Sequence, residues 1–294
     1  MQNNRINQAG FSLAELAIVL FIVAVLVGTT LAISSVQQEL RQYKEVDREM
    51  DKILDKVIGF AQINGRLPCP SPAASAGVSS GGGDSACNKV SGFVPWDTLG
   101  IQGSLTGESL LADPWGNPYR YYVSSTDANG DGNADFTITG QMQEIGLGDK
   151  WDLTDPDIPV VGTDGIRDLD GQFVICDTAA AAVDICDSAA NQVFGNAPTT
   201  KGPYQGAVVV LLSLGKNGAV LPDPVSNADE YENSGSTPVA GGKYYRKNAD
   251  IPLGVRRTTF VKRTTGFADD FDDIVKWIAP STLFTRMIEA GQLP

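Results

Sequence analysis

The sequence predicts an α+β protein: one long N-terminal helix followed by a head built on short β-strands. Two observations carry this. An apolar tract from Phe11 to Ile33 runs without a linker into an amphipathic stripe at helical period, and no proline occurs before Pro68. Beyond that point, β-branched and aromatic runs recur between clusters of Gly, Pro, Asn and Asp, the pattern of strands and turns.

The first ten residues, Met1 to Gly10, are polar, with Arg5 as their only charge. The tract that follows is ~34 Å long as a helix, enough to cross a hydrocarbon core of about 30 Å. Glu15 is the only charge within it. An ordinary secretory signal does not fit. Such a signal has a basic start, a shorter apolar core and a small-residue cleavage site after it. Residues 11–33 are therefore expected to cross a membrane. A carboxylate there costs several kcal/mol and is by default functional, so Glu15 needs a partner.

Val36, Leu40, Tyr43, Val46, Met50, Ile53 and Val57 then recur at steps of three and four, one apolar stripe along residues 34–64. Glu45–Arg48 and Glu49–Lys52 are spaced to pair one turn apart on the polar face. Asn64-Gly65 supplies the stop and Pro68 follows. Residues 65–294 form the head. Its first part, Arg66 to Gly92, is rich in Pro, Ser, Ala and Gly and reads as a long connecting loop. Strands are expected at Tyr119–Val123, Phe136–Thr139, Gln172–Cys176, the apolar run from Ala207, and Thr258–Lys262. The stretch Asp269 to Leu293 reads as two short helices split at Pro280, with Ser281 as the N-cap of the second.

Composition narrows the function classes. Histidine is absent, which removes Ser-His-Asp and Cys-His catalysis and every histidine-ligated metal site. The formal net charge of −13 argues against a general affinity for nucleic acid or anionic lipid. Asp269, Asp270, Asp272 and Asp273 could supply paired carboxylates, but acids near a helix start are explained by the macrodipole alone. With no nucleophile, phosphate loop or cofactor box, the chain does not read as an enzyme. The cysteines, Cys69, Cys87, Cys176 and Cys186, form no C-x-x-C pair and do not read as a zinc site. They allow three disulfide pairings; the local one, Cys69 with Cys87 and Cys176 with Cys186, would staple two short polar loops.

The run Gly10-Phe11-Ser12-Leu13-Ala14-Glu15 resembles the class III signal of type IV prepilins and type II secretion pseudopilins. The resemblance implies cleavage after Gly10 by a prepilin peptidase and N-methylation of Phe11. It also implies pairing of Glu15 with the N-terminal amine of a neighbouring subunit, which lowers both desolvation penalties inside an apolar filament. The single basic residue of the leader departs from the usual two or more. Residues 1–10 would be the leader. The partners implied are other pilin or pseudopilin subunits, the peptidase and an inner-membrane assembly platform. The implied location is a single pass through the bacterial inner membrane with the head in the periplasm, then a filament in the periplasm or at the cell surface.

Two head segments carry the likeness further. Asp113-Pro114-Trp115-Gly116-Asn117-Pro118-Tyr119-Arg120-Tyr121-Tyr122 resembles the entry into the first strand of the major pseudopilin, and Ser213-Leu214-Gly215 its strand-ending tract. The resemblance implies an antiparallel sheet packed on the lower half of the long helix. The chain is roughly double the size implied for a major subunit, which suits a minor one.

Asp127, Asn129, Asp131, Asn133 and Asp135 place oxygen ligands at alternate positions, with Gly132 sixth, as in the first nine positions of an EF-hand-type loop. The twelfth position is Ile138, so the bidentate glutamate is missing. Shortened loops of this kind resemble those of dockerin and thrombospondin type 3 repeats, where a ligand comes from elsewhere. Structural Ca2+ is expected, against the alternative of a turn that binds nothing. Two other functions use the same anchor: an adhesin, through the polar loops around Trp151–Asp170 and Asn227–Gly242, or a DNA-binding tip subunit. Arg246, Lys247, Arg256, Arg257, Lys262 and Arg263 are the basic residues available for DNA, and the acidic total opposes it.

Overall fold

The computed structural model describes residues 13–127, 131–147, 169, 171–178, 186, 191–195, 206–218, 233, 236–239, 243–246, 258–263 and 271–293. Side chains of 26–36, 146–147, 236–239, 243–246 and 258 fall outside the description. The chain divides into two compact units, Met1–Glu45 and Val46–Pro294.

Helix α1 runs from Leu13 to Asn64, 52 residues without a break. Gly65 ends it in the left-handed conformation at φ 66°, its N–H bonding to the Ala61 carbonyl at 2.8 Å, the usual way for a helix to stop. In the first unit, Leu13, Leu16, Ile18, Val19, Leu20, Phe21 and Ile22 are all about half exposed or more. A helix apolar all round is made for an apolar surround. Among the described residues no helix is long and apolar enough to cross a membrane. The tract expected to do so, 11–33, begins outside them and includes side chains outside them.

In the second unit the expected stripe becomes a buried seam. Val46, Met50, Ile53, Leu54, Val57 and Ala61 are buried, whereas Leu40, further up the same stripe, is 55% exposed. Glu49 accepts a hydrogen bond from the Tyr119 hydroxyl at 2.7 Å, so the polar face is tied to the head.

The main sheet has four antiparallel strands in the order β1 (Ser91–Phe93), β2 (Arg120–Val123), β5 (Val209–Ser213), β9 (Ile274–Ile278). The run Val208 to Leu212 is wholly buried. A continuous apolar run means a strand covered on both faces, and this one is. Val209 and Leu211 join Tyr121, Val123 and Ile278 against the α1 seam. Val210 and Leu212 join Tyr122 and Val275 against Phe173, Ile175 and Phe260. The latter three belong to a second sheet of β4 (Gln192–Phe194), β3 (Phe173–Cys176) and β8 (Thr258–Val261). Rings of Tyr122 and Phe260 meet edge to face, centroids 4.8 Å apart. The layers are thus helix, sheet, sheet. A hairpin of β6 (Ser236–Val239) and β7 (Lys243–Arg246) forms a third, two-stranded unit.

Helix α2 (Gln141–Leu147) contributes Met142 and Ile145 to the helix-side core, and α3 (Pro280–Glu289) contributes Leu283, Phe284 and Met287.

The structure departs from expectation in four places. Phe136–Thr139 is a turn with one bridge from Ile138 to Gly83; Phe136 turns inward and stacks on Phe284 with centroids 6.4 Å apart. The stretch before Pro280 is strand β9, because Ile274, Val275, Trp277 and Ile278 are β-branched or aromatic and register along β5. Helix α3 is capped by Ala279 with Pro280 in its first turn, and no side chain caps it, Ser281 included. The second sheet includes one parallel pair, β3 with β8, so the antiparallel expectation holds for the main sheet and the β6–β7 pair but not throughout the second sheet.

Cys69 bonds to Cys87 and Cys176 to Cys186, the local pairing among the three that the sequence left open. The first bridge closes the loop between α1 and β1. Gly92 lies so close to that loop that a Cβ there would meet the Ser71 carbonyl oxygen at 2.7 Å.

Candidate functional site

Three places hold the residues singled out from sequence. The first is the N-terminus. Gly10 and Phe11 lie outside the described residues. Glu15 stands in the first turn of α1, where a negative charge faces the positive end of the helix dipole. Its neighbours along the helix are the exposed apolar side chains already described.

The second is the junction of the two head motifs, which the fold brings into direct contact. Asp113 Oδ1 accepts the N–H groups of Trp115 at 3.0 Å and Asn117 at 2.9 Å, closing the Asp-Pro-Trp-Gly-Asn turn. Its Oδ2 accepts the Ser213 hydroxyl at 2.7 Å. Asn117 Nδ2 donates to the Gly215 carbonyl at 2.6 Å. Burial pushes the Asp113 carboxyl up from its ordinary value, and these donors act against the push. Asp272 completes the junction: one of its oxygens accepts the N–H groups of Lys216 at 2.7 Å and Asn217 at 3.1 Å. So Asp272 and Asp273, both buried, do not open a helix; Asp269 and Asp270 lie outside the described residues. The junction is a clasp, with its polar groups turned on one another.

Nearby, the Tyr121 hydroxyl donates to the Pro68 carbonyl at 3.1 Å, and full burial pushes its ionisation far above the ordinary tyrosine range. Of the basic residues weighed for DNA, Lys247, Arg256 and Arg257 lie outside the description, as does the side chain of Arg246. Lys262 sits 4.8 Å over the Trp277 ring and Arg263 4.9 Å over Phe271. Burial, and then repulsion from Lys276, lowers the Lys262 pKa. Both are half-buried against aromatic rings, which suits packing better than reaching for phosphate.

The third place is the Asp-rich loop between β2 and α2. Asp127 Oδ1 accepts the Asp131 N–H at 3.1 Å, and its Oδ2 accepts the Gly132 N–H at 2.9 Å. Gly132 takes φ 86°, the sharp turn that the sixth position of a calcium loop requires. Asp131 Oδ1 accepts the Asn133 N–H at 2.7 Å. Asp135 is fully buried, with its N–H on the Thr126 carbonyl at 2.8 Å. Asn129 lies outside the described residues. Among the described residues no three acidic or thiol side chains come together to hold a metal. Sequence spacing gave no sign that Gln141, at the start of α2, reaches this loop. Gln141 Nε2 lies 3.1 Å from Asp131 Oδ2 and 3.5 Å from Glu144 Oε2.

The model of the prokaryotic N-terminal methylation motif matches residues 5–31. The chain therefore carries the class III prepilin signal of type IV pilin-like proteins, and its N-terminus is of that class. Such a signal goes with a membrane-anchored subunit that meets other pilin subunits and a prepilin peptidase. No curated protein and no solved structure matches the chain.

Proposed function

We propose that this chain is a minor pilin or pseudopilin, a structural subunit rather than an enzyme. In this reading the peptidase cuts after Gly10 and Phe11 becomes the methylated N-terminus. Residues 11–33 hold the subunit in the inner membrane, residues 34–64 continue the helix, and the head, 65–294, stands in the periplasm. An assembly platform then packs the subunit into a type II secretion pseudopilus or type IV pilus, with Glu15 neutralising the terminal amine of a neighbour. The observation that carries this is the methylation motif at residues 5–31 running straight into a helix that continues to Asn64. Supporting it are the exposed apolar side chains around Glu15 and the clasp between the two pseudopilin-like head motifs.

Intact mass and N-terminal sequencing of the membrane-associated protein, with and without prepilin peptidase in the host, test the reading. A chain beginning at methylated Phe11 only when the peptidase is present supports it. A chain still beginning at Met1, or cut after the apolar tract, ends it. The alternatives, an adhesin-like or DNA-binding tip subunit, share the anchor. A binding assay with duplex DNA at two salt concentrations separates the DNA reading, since phosphate contacts give a steep salt dependence.

We further propose that the loop from Asp127 to Asp135 takes a structural Ca2+. The turn at Gly132 and the spacing of its oxygen side chains favour this. Titration of the protein with Ca2+ and with EDTA, read as a shift in thermal unfolding, tests it.

A further inference from the structure

A groove of about 710 Å3 runs along the last turns of α1, walled by Phe60 and Ile63 on the helix and by Leu99 across from them. Ile63 is 80% exposed. Gly59 lines the groove between these apolar residues and Lys56. A glycine inside a helix is destabilising relative to alanine, yet a Cβ at Gly59 would meet nothing within 4 Å. Nothing in the subunit itself crowds the position. Glycine is the residue that lets another backbone come close, and here the other backbone comes from outside.

Charge narrows what that is. Lys52 and Lys56 stand at one end of the groove. Glu49, spaced to pair with Lys52, is turned to the Tyr119 hydroxyl instead. Among the described residues neither lysine has an ion pair, in a chain with 35 acids and 22 bases. Asp55 lies on the same wall, so the groove carries two positive charges against one negative. The occupant that fits has a large apolar side chain with a carboxylate a few residues away.

The head presents such a pair. A tight hairpin spans residues 104–112, with the Thr106 N–H on the Leu110 carbonyl and the Ala112 N–H on the Ser104 carbonyl, both at 2.8 Å. It holds out Leu105, 45% exposed, and Glu108, which is exposed and has no ion pair among the described residues. Ile288 is equally exposed, but its neighbour Glu289 is already held by Arg286 at 3.4 Å. We infer that the groove takes the 104–112 hairpin of a second copy of this chain. Leu105 sits over Gly59 between Phe60 and Ile63, and Glu108 reaches Lys56, ~4.5 Å further back along the helix axis. The contact rests on the reading of the chain as a filament subunit, in which helix packing holds the heads at high local concentration. It joins two different faces, so each copy keeps a groove or a hairpin open for the next, as a filament requires.

The test is disulfide cross-linking between two full-length chains, one Asn64→Cys and one Ser104→Cys, made together in a host with prepilin peptidase. Both positions are exposed, and the four native cysteines are already bridged. Oxidised membranes are expected to yield a 64–104 dimer, identified by mass spectrometry. Lys56→Glu in the first chain should lower its yield about fivefold, and Glu108→Lys in the second should restore it. Gly59→Leu fills the groove and should abolish the dimer, with a melting temperature in detergent micelles at or above that of wild type. A 64–64 dimer, a cross-link from 64 to any other protein, or no dimer overturns the assignment. N-terminal sequencing of the same membranes separates the two readings. A chain that begins at Phe11 but forms no 64–104 dimer leaves the subunit reading standing without this contact. A chain that still begins at Met1 removes the subunit reading and the inference with it.

Discussion

Replacing Asp113 by Ala is expected to cost about 3 kcal/mol of folding stability. The figure follows from what the carboxylate holds: the N–H groups of Trp115 and Asn117 and the hydroxyl of Ser213. Asn117 is 9% exposed and Ser213 is fully buried, so neither finds water when its acceptor goes. An unsatisfied buried group costs about 1–3 kcal/mol, and the Trp115 N–H, less buried, adds less. Part of the loss is offset because a buried charge disappears as well. Asp113→Asn separates the two effects. It keeps an acceptor for the turn and a polar contact for Ser213, and removes the charge, so its stability is expected within about 1 kcal/mol of wild type. The pH dependence has a definite sign. The folded-state pKa is raised by burial, so the folded protein holds its proton more tightly than the unfolded chain. Wild type therefore loses stability as pH rises from the ordinary carboxylate value, about 3.9, to the raised one, and Asp113→Asn lacks that loss. Urea unfolding of the full chain in detergent micelles, followed by circular dichroism across pH 3 to 7, reads both quantities. An Asp113→Ala variant within 0.5 kcal/mol of wild type would refute the clasp, taking ~0.5 kcal/mol as the usual scatter of surface changes. A gap between Asp113→Asn and wild type that widens in the variant's favour as pH falls would refute the burial argument.

Three further expectations follow from the core. Tyr121→Phe leaves the Pro68 carbonyl without its donor and should cost about 1–2 kcal/mol in the same denaturation experiment; no change would mean that water takes over that carbonyl. Replacing Cys69 and Cys87 together by Ser opens a bridge of sequence separation 18 and should cost about 3 kcal/mol, with protease cleavage appearing in the loop between α1 and β1. Met50→Ala, at a fully buried site on the seam, should cost about 2–5 kcal/mol, whereas Leu40→Ala, on the same stripe but exposed, should stay within about 0.5 kcal/mol.

What was legible in the sequence was what local chemistry decides. The helix shows in the steps of three and four from Val36 to Val57, and its end in Asn64-Gly65. Strand β5 shows in its apolar run, and even its two-sided burial follows from the absence of polar residues between Val208 and Leu212. Long-range choices were not legible. The segment Ile274–Ile278 is short enough to satisfy either period, and only β5 beside it selects the strand. The parallel pairing of β3 with β8 joins segments far apart in the chain, and no local pattern encodes it. Phe136, followed by the β-branched Thr137, Ile138 and Thr139, has the local composition of a strand; its actual role is to plug the core beside Phe284. In the Asp-rich loop the alternating oxygens were visible. The contribution of Gln141 was not, because it depends on where α2 folds back.

The seam from Val46 to Ala61 has a mechanical side. Its buried contacts are strung along the axis of α1 over ~22 Å, and at the sheet's edge strand Lys276 bridges Asp47 and Asp51 on the same helix. A pull along that axis loads every one of these contacts at once, in shear, whereas a pull across it would peel them one after another. A head joined to its helix in this way resists tension best in the direction in which the helix itself would transmit it.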